Sequence, residues 1–160
     1  MRLRHALFNA VLKSIIAFFP NPFDSMVAMS VRPLTILVAD DESSVAESLS
    51  LVLRPRGHRI EAVSDGLLAF TRLTENPGKF DLLIADNTMP GLTGSELIRK
   101  LRAVNFSGKI MVLSGHLTPE LERIYRDLGV DEIVHKPYDL SSIRIAIERI
   151  ATAAGAERRE

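Results

Sequence analysis

Five residues with chemically capable side chains stand where short apolar runs stop: Asp40, Asp41, Asp86, Ser114 and Lys136. Leu34 to Ala39 runs into Asp40-Asp41, and Leu82 to Ala85 runs into Asp86. Lys109 to Leu113 leads to Ser114, and Glu132 to His135 leads to Lys136. Three carboxylates converging on one crevice repel one another and need a cation. Hard oxygen donors with no His or Cys nearby favour Mg²⁺, which keeps several waters and uses only one or two carboxylates. A lysine and a hydroxyl facing such a metal suit a phosphoryl group, because metal and ammonium neutralise its charge while the hydroxyl donates to an oxygen. A carboxylate beside them can itself be the nucleophile, giving an aspartyl-phosphate. Asp86 is the best placed of the three: it follows the most continuously apolar run, and Met89-Pro90-Gly91 turns the chain so that backbone carbonyls stay free nearby.

Those residues need a frame, and the pattern of the chain supplies one. Continuous apolar runs bounded by turn signals read as strands buried on both faces. From Leu34 onward, strands are expected at Leu34–Ala39, His58–Val63, Phe80–Asp86, Lys109–Ser114 and Glu132–His135. Helices are expected between them: one capped by Ser43 and ended by Pro55 and Gly57, and one from Asp65-Gly66 to about Glu75. The others run from Thr93 to about Ala103, from Thr118 to about Leu128 with Gly129 as cap, and from Asp139 to about Ala153. Five strands alternating with five helices is the signature of a parallel sheet covered on both faces, with its ligand site outside the carboxyl ends of the strands.

Composition narrows the class. The chain has 160 residues, enough for one domain with a sizeable core, of which 46% are hydrophobic and 25% charged. Formal net charge is zero, so no overall field favours nucleic acid or anionic membrane. Without cysteine, disulfides, thiolate metal sites and Cys nucleophiles are excluded. A cytoplasmic location fits, and no apolar run reaches the roughly 18 residues needed to span a bilayer.

Residues 1–33 differ from the rest, carrying Arg2, Arg4, Lys13 and Arg32 against Asp24, a charge of +3 that leaves −3 for the remainder. Arg2, His5, Asn9 and Lys13 form a narrow polar stripe on an otherwise apolar helical pattern. Three readings compete for this extension: a true start at Met26 or Met29, an amphipathic helix lying on a membrane surface, or a signal peptide whose apolar region Asn9 and Lys13 interrupt. The expected division is therefore 1–33 as extension, 34–153 as the folded domain and 154–160 as a charged tail.

The constellation resembles the receiver domain of two-component response regulators, in particular the stand-alone, chemotaxis-regulator-like type. The matching pieces are Ile36-Leu37-Val38-Ala39-Asp40-Asp41-Glu42, Asp86-Asn87-Thr88-Met89-Pro90-Gly91, Val112-Leu113-Ser114-Gly115 and His135-Lys136-Pro137-Tyr138. Any one alone is weak; together, in this order, they are specific. The resemblance implies a flavodoxin-like doubly wound α/β fold with strand order 2-1-3-4-5. It implies that Asp86 accepts a phosphoryl group from a histidine kinase or histidine phosphotransfer protein. Asp41, Asp86 and the main-chain carbonyl of Thr88 would ligate Mg²⁺, with Asp40 acting through water. Ser114 would bond a phosphoryl oxygen, Lys136 would pair with Asp86 and then with phosphate, and the Lys136–Pro137 bond would be cis. Such a protein is a phosphoacceptor switch, assisting its own phosphorylation and dephosphorylation, rather than an enzyme. Its kinase would dock around Ser43 to Arg54, and its output would be protein binding through the fourth helix, fifth strand and fifth helix.

One departure concerns the position three residues before the lysine, commonly aromatic in the family and here Ile133. Two rivals remain: a metal-dependent phosphohydrolase with an Asp nucleophile, and a pseudo-receiver that binds partners without phosphorylation. The first usually needs a second acid two residues after the nucleophile, where this chain has Thr88; the second would lack an Asp or the Lys, and all are present. Thr88 and His116 flank the site as ordinary loop residues or as influences on attacking water. The cluster Arg99, Lys100, Arg102 and Lys109 reads as a solvated face rather than a nucleic-acid patch.

Overall fold

A computed structural model describes residues 32–157. The readings made for the extension lie outside them, apart from Arg32 and Pro33. Five parallel strands, β1 (Thr35–Ala39), β2 (Arg59–Val63), β3 (Leu82–Asp86), β4 (Lys109–Ser114) and β5 (Glu132–His135), form one sheet in the order β2-β1-β3-β4-β5. The helices between and after them are α1 (Ser43–Leu53), α2 (Gly66–Glu75), α3 (Gly94–Ala103), α4 (Pro119–Asp127) and α5 (Leu140–Glu157). This is the expected doubly wound order, and the sheet reverses direction of growth between β1 and β3. That switch point opens the crevice into which the strand ends project.

Burial follows position in the sheet. Central β3 is buried at every residue, whereas edge strand β2 is mostly exposed or half-exposed. Alternation along the strands sends Leu37, Ala39, Leu83, Ala85, Ile110 and Val112 into one core with Ala69, Leu73, Leu97, Ile98, Leu101 and Tyr125 of α2, α3 and α4. The intervening residues Ile36, Val38, Leu82, Ile84, Met111 and Leu113 are equally buried on the opposite face, and α1 and α5 pack against each other.

Most helix starts obey local chemistry. The Asp65 carboxylate accepts from Leu67 and Leu68 N–H at 2.7 and 3.0 Å, and the Thr118 hydroxyl accepts from Leu121 N–H at 3.2 Å. Thr93 and Glu96 form a reciprocal capping box. Ser43 does not cap α1. It is the first helical residue, Glu42 holds the cap position without a side-chain bond, and the Glu42 N–H is taken by Asp40 Oδ1 at 2.9 Å. Pro55 converts the end of α1 into a 3₁₀ turn over Arg54–Arg56, which stops at Gly57 in the left-handed region at φ +88°. Helix α5 continues to Glu157 instead of stopping near Ala153, so the expected tail begins as helix; alanine is the strongest helix former, and Ala153 and Ala154 prolong the run. Among the described residues, no helix is long and apolar enough to cross a membrane.

His58, one residue before β2, is buried and its Nδ1 accepts the Leu34 N–H at 3.0 Å, tying the start of β2 to that of β1. Burial holds its pKa below the ordinary histidine value; Glu148 pulls upward and Arg56 downward. A base with a lowered folded pKa stabilises the fold above its unfolded value near 6.5 and loses that contribution as pH falls toward the folded one. Thermal unfolding between pH 7.5 and 5.5 is therefore expected to show a fall in stability of up to about 1.4 kcal/mol per pH unit from this group, and a shallower fall in His58→Gln.

Candidate functional site

The carboxyl ends of β1, β3 and β5 meet in one ionic cluster. Lys136, just past β5, places its Nζ 2.9 Å from Asp40 Oδ2 and 2.7 Å from Asp86 Oδ1. The acids come from two central strands that are neighbours in the sheet, with Ala39 paired to Ala85 immediately before them. Chain separation is large, 96 and 50 residues, so only the topology brings these groups together. The Lys136–Pro137 peptide is cis, as the resemblance implies.

Each carboxylate is also held by main chain. Asp40 Oδ1 accepts from Glu42 N–H, and Asp86 Oδ2 accepts from Thr88 N–H at 2.6 Å. The segment after β3 thus folds back over Asp86. It is further pinned where Asn87 N–H donates to Leu113 O at 3.0 Å, Gly94 N–H to Asn87 O at 2.9 Å, and Gly66 N–H to Pro90 O at 2.9 Å. Space there is minimal. A Cβ on Gly94 would lie 2.6 Å from the Asp86 carbonyl oxygen, and one on Gly91, at φ +77°, would meet the Asp65 carboxylate at 2.6 Å.

Asp41 lies beside this cluster, exposed at the turn into α1. Ser114 ends β4 next to Asp86, since Asp86 pairs with Leu113 in the sheet. Its buried hydroxyl donates to the carbonyl of His116 at 2.9 Å and makes no bond to a carboxylate. The five expected residues therefore share the crevice, with Asp40, Asp86 and Lys136 in direct contact, Asp41 at its rim and Ser114 turned into its own loop. Thr88 and His116 are exposed, and Ile133 is half-buried against the core. Tyr138 is half-buried. Arg102 is no free surface charge: it donates to the carbonyls of Leu128, Phe106 and Gly129.

Sequence reasoning missed one contact. Tyr125 of α4 is fully buried and its hydroxyl donates to Asn87 Oδ1, one residue past Asp86. A signal existed in the sequence, where Leu121 and Tyr125 stand four residues apart in a segment otherwise rich in charge, the spacing of an inward helix face.

The donor set suits a hard cation. Among the described residues no three acidic or imidazole side chains gather closely enough to hold an ion by themselves. Two carboxylates, a main-chain carbonyl and water meet the requirement of Mg²⁺ without such a cage. The Lys136 ammonium pairs with Asp40 and Asp86, and Asp41 adds a third acid beside them. Asp41, Asp86 and the Thr88 carbonyl are the groups that would hold the ion, with Asp40 behind a water.

A sequence model of the response regulator receiver domain matches residues 36–148. The chain is 30% identical over 152 residues to the sensory/regulatory protein RpfC of Xanthomonas campestris pv. campestris, a match covering 88% of this chain and 20% of that protein. It is 32% identical over 111 residues to the response regulator MprA of Mycobacterium sp. (strain KMS), covering 69% and 47% respectively. The chain thus spans a fifth to about half the length of these relatives. Among solved structures, a response regulator receiver domain protein from Clostridium thermocellum superposes with a TM-score of 0.70 at 25% identity, covering 77% of this chain and 98% of that one. A CheY-like receiver domain protein from Methanospirillum hungatei shares the fold, with a TM-score of 0.72 at 20% identity over 79% of this chain and 99% of that one.

The electrostatics of the cluster are unequal. Burial pushes the carboxyl of Asp40 above the usual aspartate range, and the Glu42 N–H and Lys136 ammonium offset this only in part. Burial likewise disfavours the Lys136 ammonium, but hydrogen bonds to Asp86 and Asp40 outweigh it and hold its pKa above that of ordinary lysine. An acid with a raised folded pKa favours folding below its unfolded value and opposes it once pH has risen through the folded one. Asp40→Asn is accordingly expected to raise the unfolding midpoint in Mg²⁺-free buffer at pH 7.5 by about 2–5 °C, the shift that a gain on the order of 1 kcal/mol produces in a domain of this size. The gain should fade as pH falls toward the ordinary aspartate range, measured by calorimetry across that interval.

Proposed function

The chain belongs to the response regulator receiver-domain family, and from that premise we propose that it is a phosphorylation switch in which Asp86 accepts a phosphoryl group from a histidine kinase or a histidine phosphotransfer protein. The observation that carries the reading is the Lys136 ammonium bridging Asp40 and Asp86 at 2.9 and 2.7 Å, at the carboxyl ends of adjacent central strands.

Transfer requires an Asp86 carboxylate oxygen to attack phosphorus in line with the P–N bond of a phosphohistidine. The P–O bond forms as the P–N bond breaks, and the leaving imidazole nitrogen takes its proton from solvent. Mg²⁺, when bound by Asp41, Asp86 and the Thr88 carbonyl, supplies charge neutralisation for the phosphoryl oxygens. The protein's own groups do the rest. Lys136 is already fixed beside the nucleophile and transfers one of its hydrogen bonds to a phosphoryl oxygen. The Thr88 N–H, 2.6 Å from Asp86 Oδ2, is a second donor aimed at the same place. The Ser114 hydroxyl reaches the phosphoryl group after rotating away from His116 O, a change of one side-chain torsion.

With Thr88 in place of a second acid, no carboxyl group follows Asp86 to protonate a leaving alkoxide, so multiple turnover of phosphomonoesters is disfavoured. The kinase-facing surface is Ser43 to Arg54, helix α1 and the first residue of the 3₁₀ turn after it. The output is protein binding through α4, β5 and α5, with no direct contact to nucleic acid. Incubation with Mg²⁺ and a small phosphodonor such as acetyl phosphate should give a single phosphate adduct by intact mass. The adduct should be lost in Asp86→Asn and on chelation of the metal. An adduct persisting in Asp86→Asn would displace the phosphoacceptor from this residue.

A further inference from the structure

In helix α4, Leu121 packs half-buried against the core, and one side chain is buried completely, Tyr125. Filling the core would need only its ring. A buried hydroxyl costs free energy unless it is bonded, and here the bond leaves the helix: the hydroxyl donates to Asn87 Oδ1. Asn87 is the residue after Asp86, and its main chain is tied on both sides, by Leu113 O at 3.0 Å and Gly94 N–H at 2.9 Å. The next residue, Thr88, donates its N–H to Asp86 Oδ2. The pocket around the hydroxyl is closed on the α3 side, where a Cβ on Gly94 would stand 3.0 Å from Tyr125 Oη. Ile133 packs against the same core but has no polar atom on its side chain with which to touch the site.

We infer that Tyr125 is a positioning residue that couples the state of Asp86 to helix α4 through Asn87. The inference rests on Asp86 being the phosphoacceptor. Esterification of one carboxylate oxygen removes an acceptor from Lys136 or Thr88, so one of these donors must shift to a phosphoryl oxygen. When the Thr88 N–H follows the phosphoryl group, the Asn87–Thr88 peptide turns. The Asn87 amide then moves against the Tyr125 hydroxyl, and α4 moves with it. The β4–α4 loop, released when Ser114 leaves His116 O, is the second attachment of the same helix. Both connections end on α4, which makes it the element that reports phosphorylation in this chain.

The test is backbone NMR of the full chain with Mg²⁺, before and after addition of beryllofluoride as phosphoryl analogue. The wild type should shift at Asp86, Asn87, Thr88 and Ser114 and also along residues 119–127. Tyr125→Phe, which keeps the ring and removes only the oxygen, should keep the first set and lose at least half of the second. Asn87→Ala attacks the bond from the other end and should give the same split, which decides the matter if the tyrosine variant folds poorly. Shifts of full size along residues 119–127 in these variants would overturn the coupling while leaving the phosphoacceptor role intact. Absence of any shift at Asp86 and Thr88 in the wild type would remove that role, and the coupling with it.

Discussion

The site depends on one ammonium held between two buried carboxylates. Asp40 and Asp86 stand on adjacent parallel strands whose ends would otherwise bring like charges together out of water. Lys136, delivered from the far edge of the sheet, makes that approach tolerable. Such a triad is not assembled for stability, because the desolvation of buried ions consumes most of what their attraction returns. The raised pKa of Asp40 is the visible residue of that imbalance. A fold that retains it keeps a site in which added positive charge, or the exchange of a carboxylate oxygen for a phosphoryl group, alters the balance directly.

What was legible in the sequence was whatever is local. Asp65, Thr93 and Thr118 cap their helices because a short oxygen-bearing side chain at the entry to an apolar-periodic run has few other uses. The strand ends were legible because a run such as Leu82 to Ala85 can be buried on both faces only in the middle of a sheet. What was illegible needed rotamers or long-range contacts. Ser114 faces His116 O, a choice of torsion that residue type does not determine. Ser43 lies inside the first turn of α1 instead of at its cap, a one-residue shift of boundary that residue type does not determine. The bond between Tyr125 and Asn87 spans 38 residues of chain and depends on how α4 sits over β3.

The segment from Asn87 to Gly94 shows how a surface loop is pinned to a core. Three of its backbone groups bond to β4, α2 and α3, and two of its glycines face atoms that leave no room for a side chain. Loops on protein surfaces usually tolerate substitution. This one keeps Thr88, Pro90, Gly91 and Thr93 exposed yet is pinned by those bonds and by the crowding at its glycines, so Asp86 is followed by a segment with few free directions of movement.

The Ser114 hydroxyl bond to His116 O carries a consequence for signalling noise. On the proposed role, the resting molecule must break this bond to imitate the phosphorylated arrangement spontaneously. A hydrogen bond of this kind contributes about 1 kcal/mol, which weights the resting rotamer over its competitor by roughly fivefold. That ratio is modest. On that role a minor population with Ser114 free of His116 O exists before any phosphorylation, and this contact is one of the restraints on background output, beside the bond from Tyr125 to Asn87.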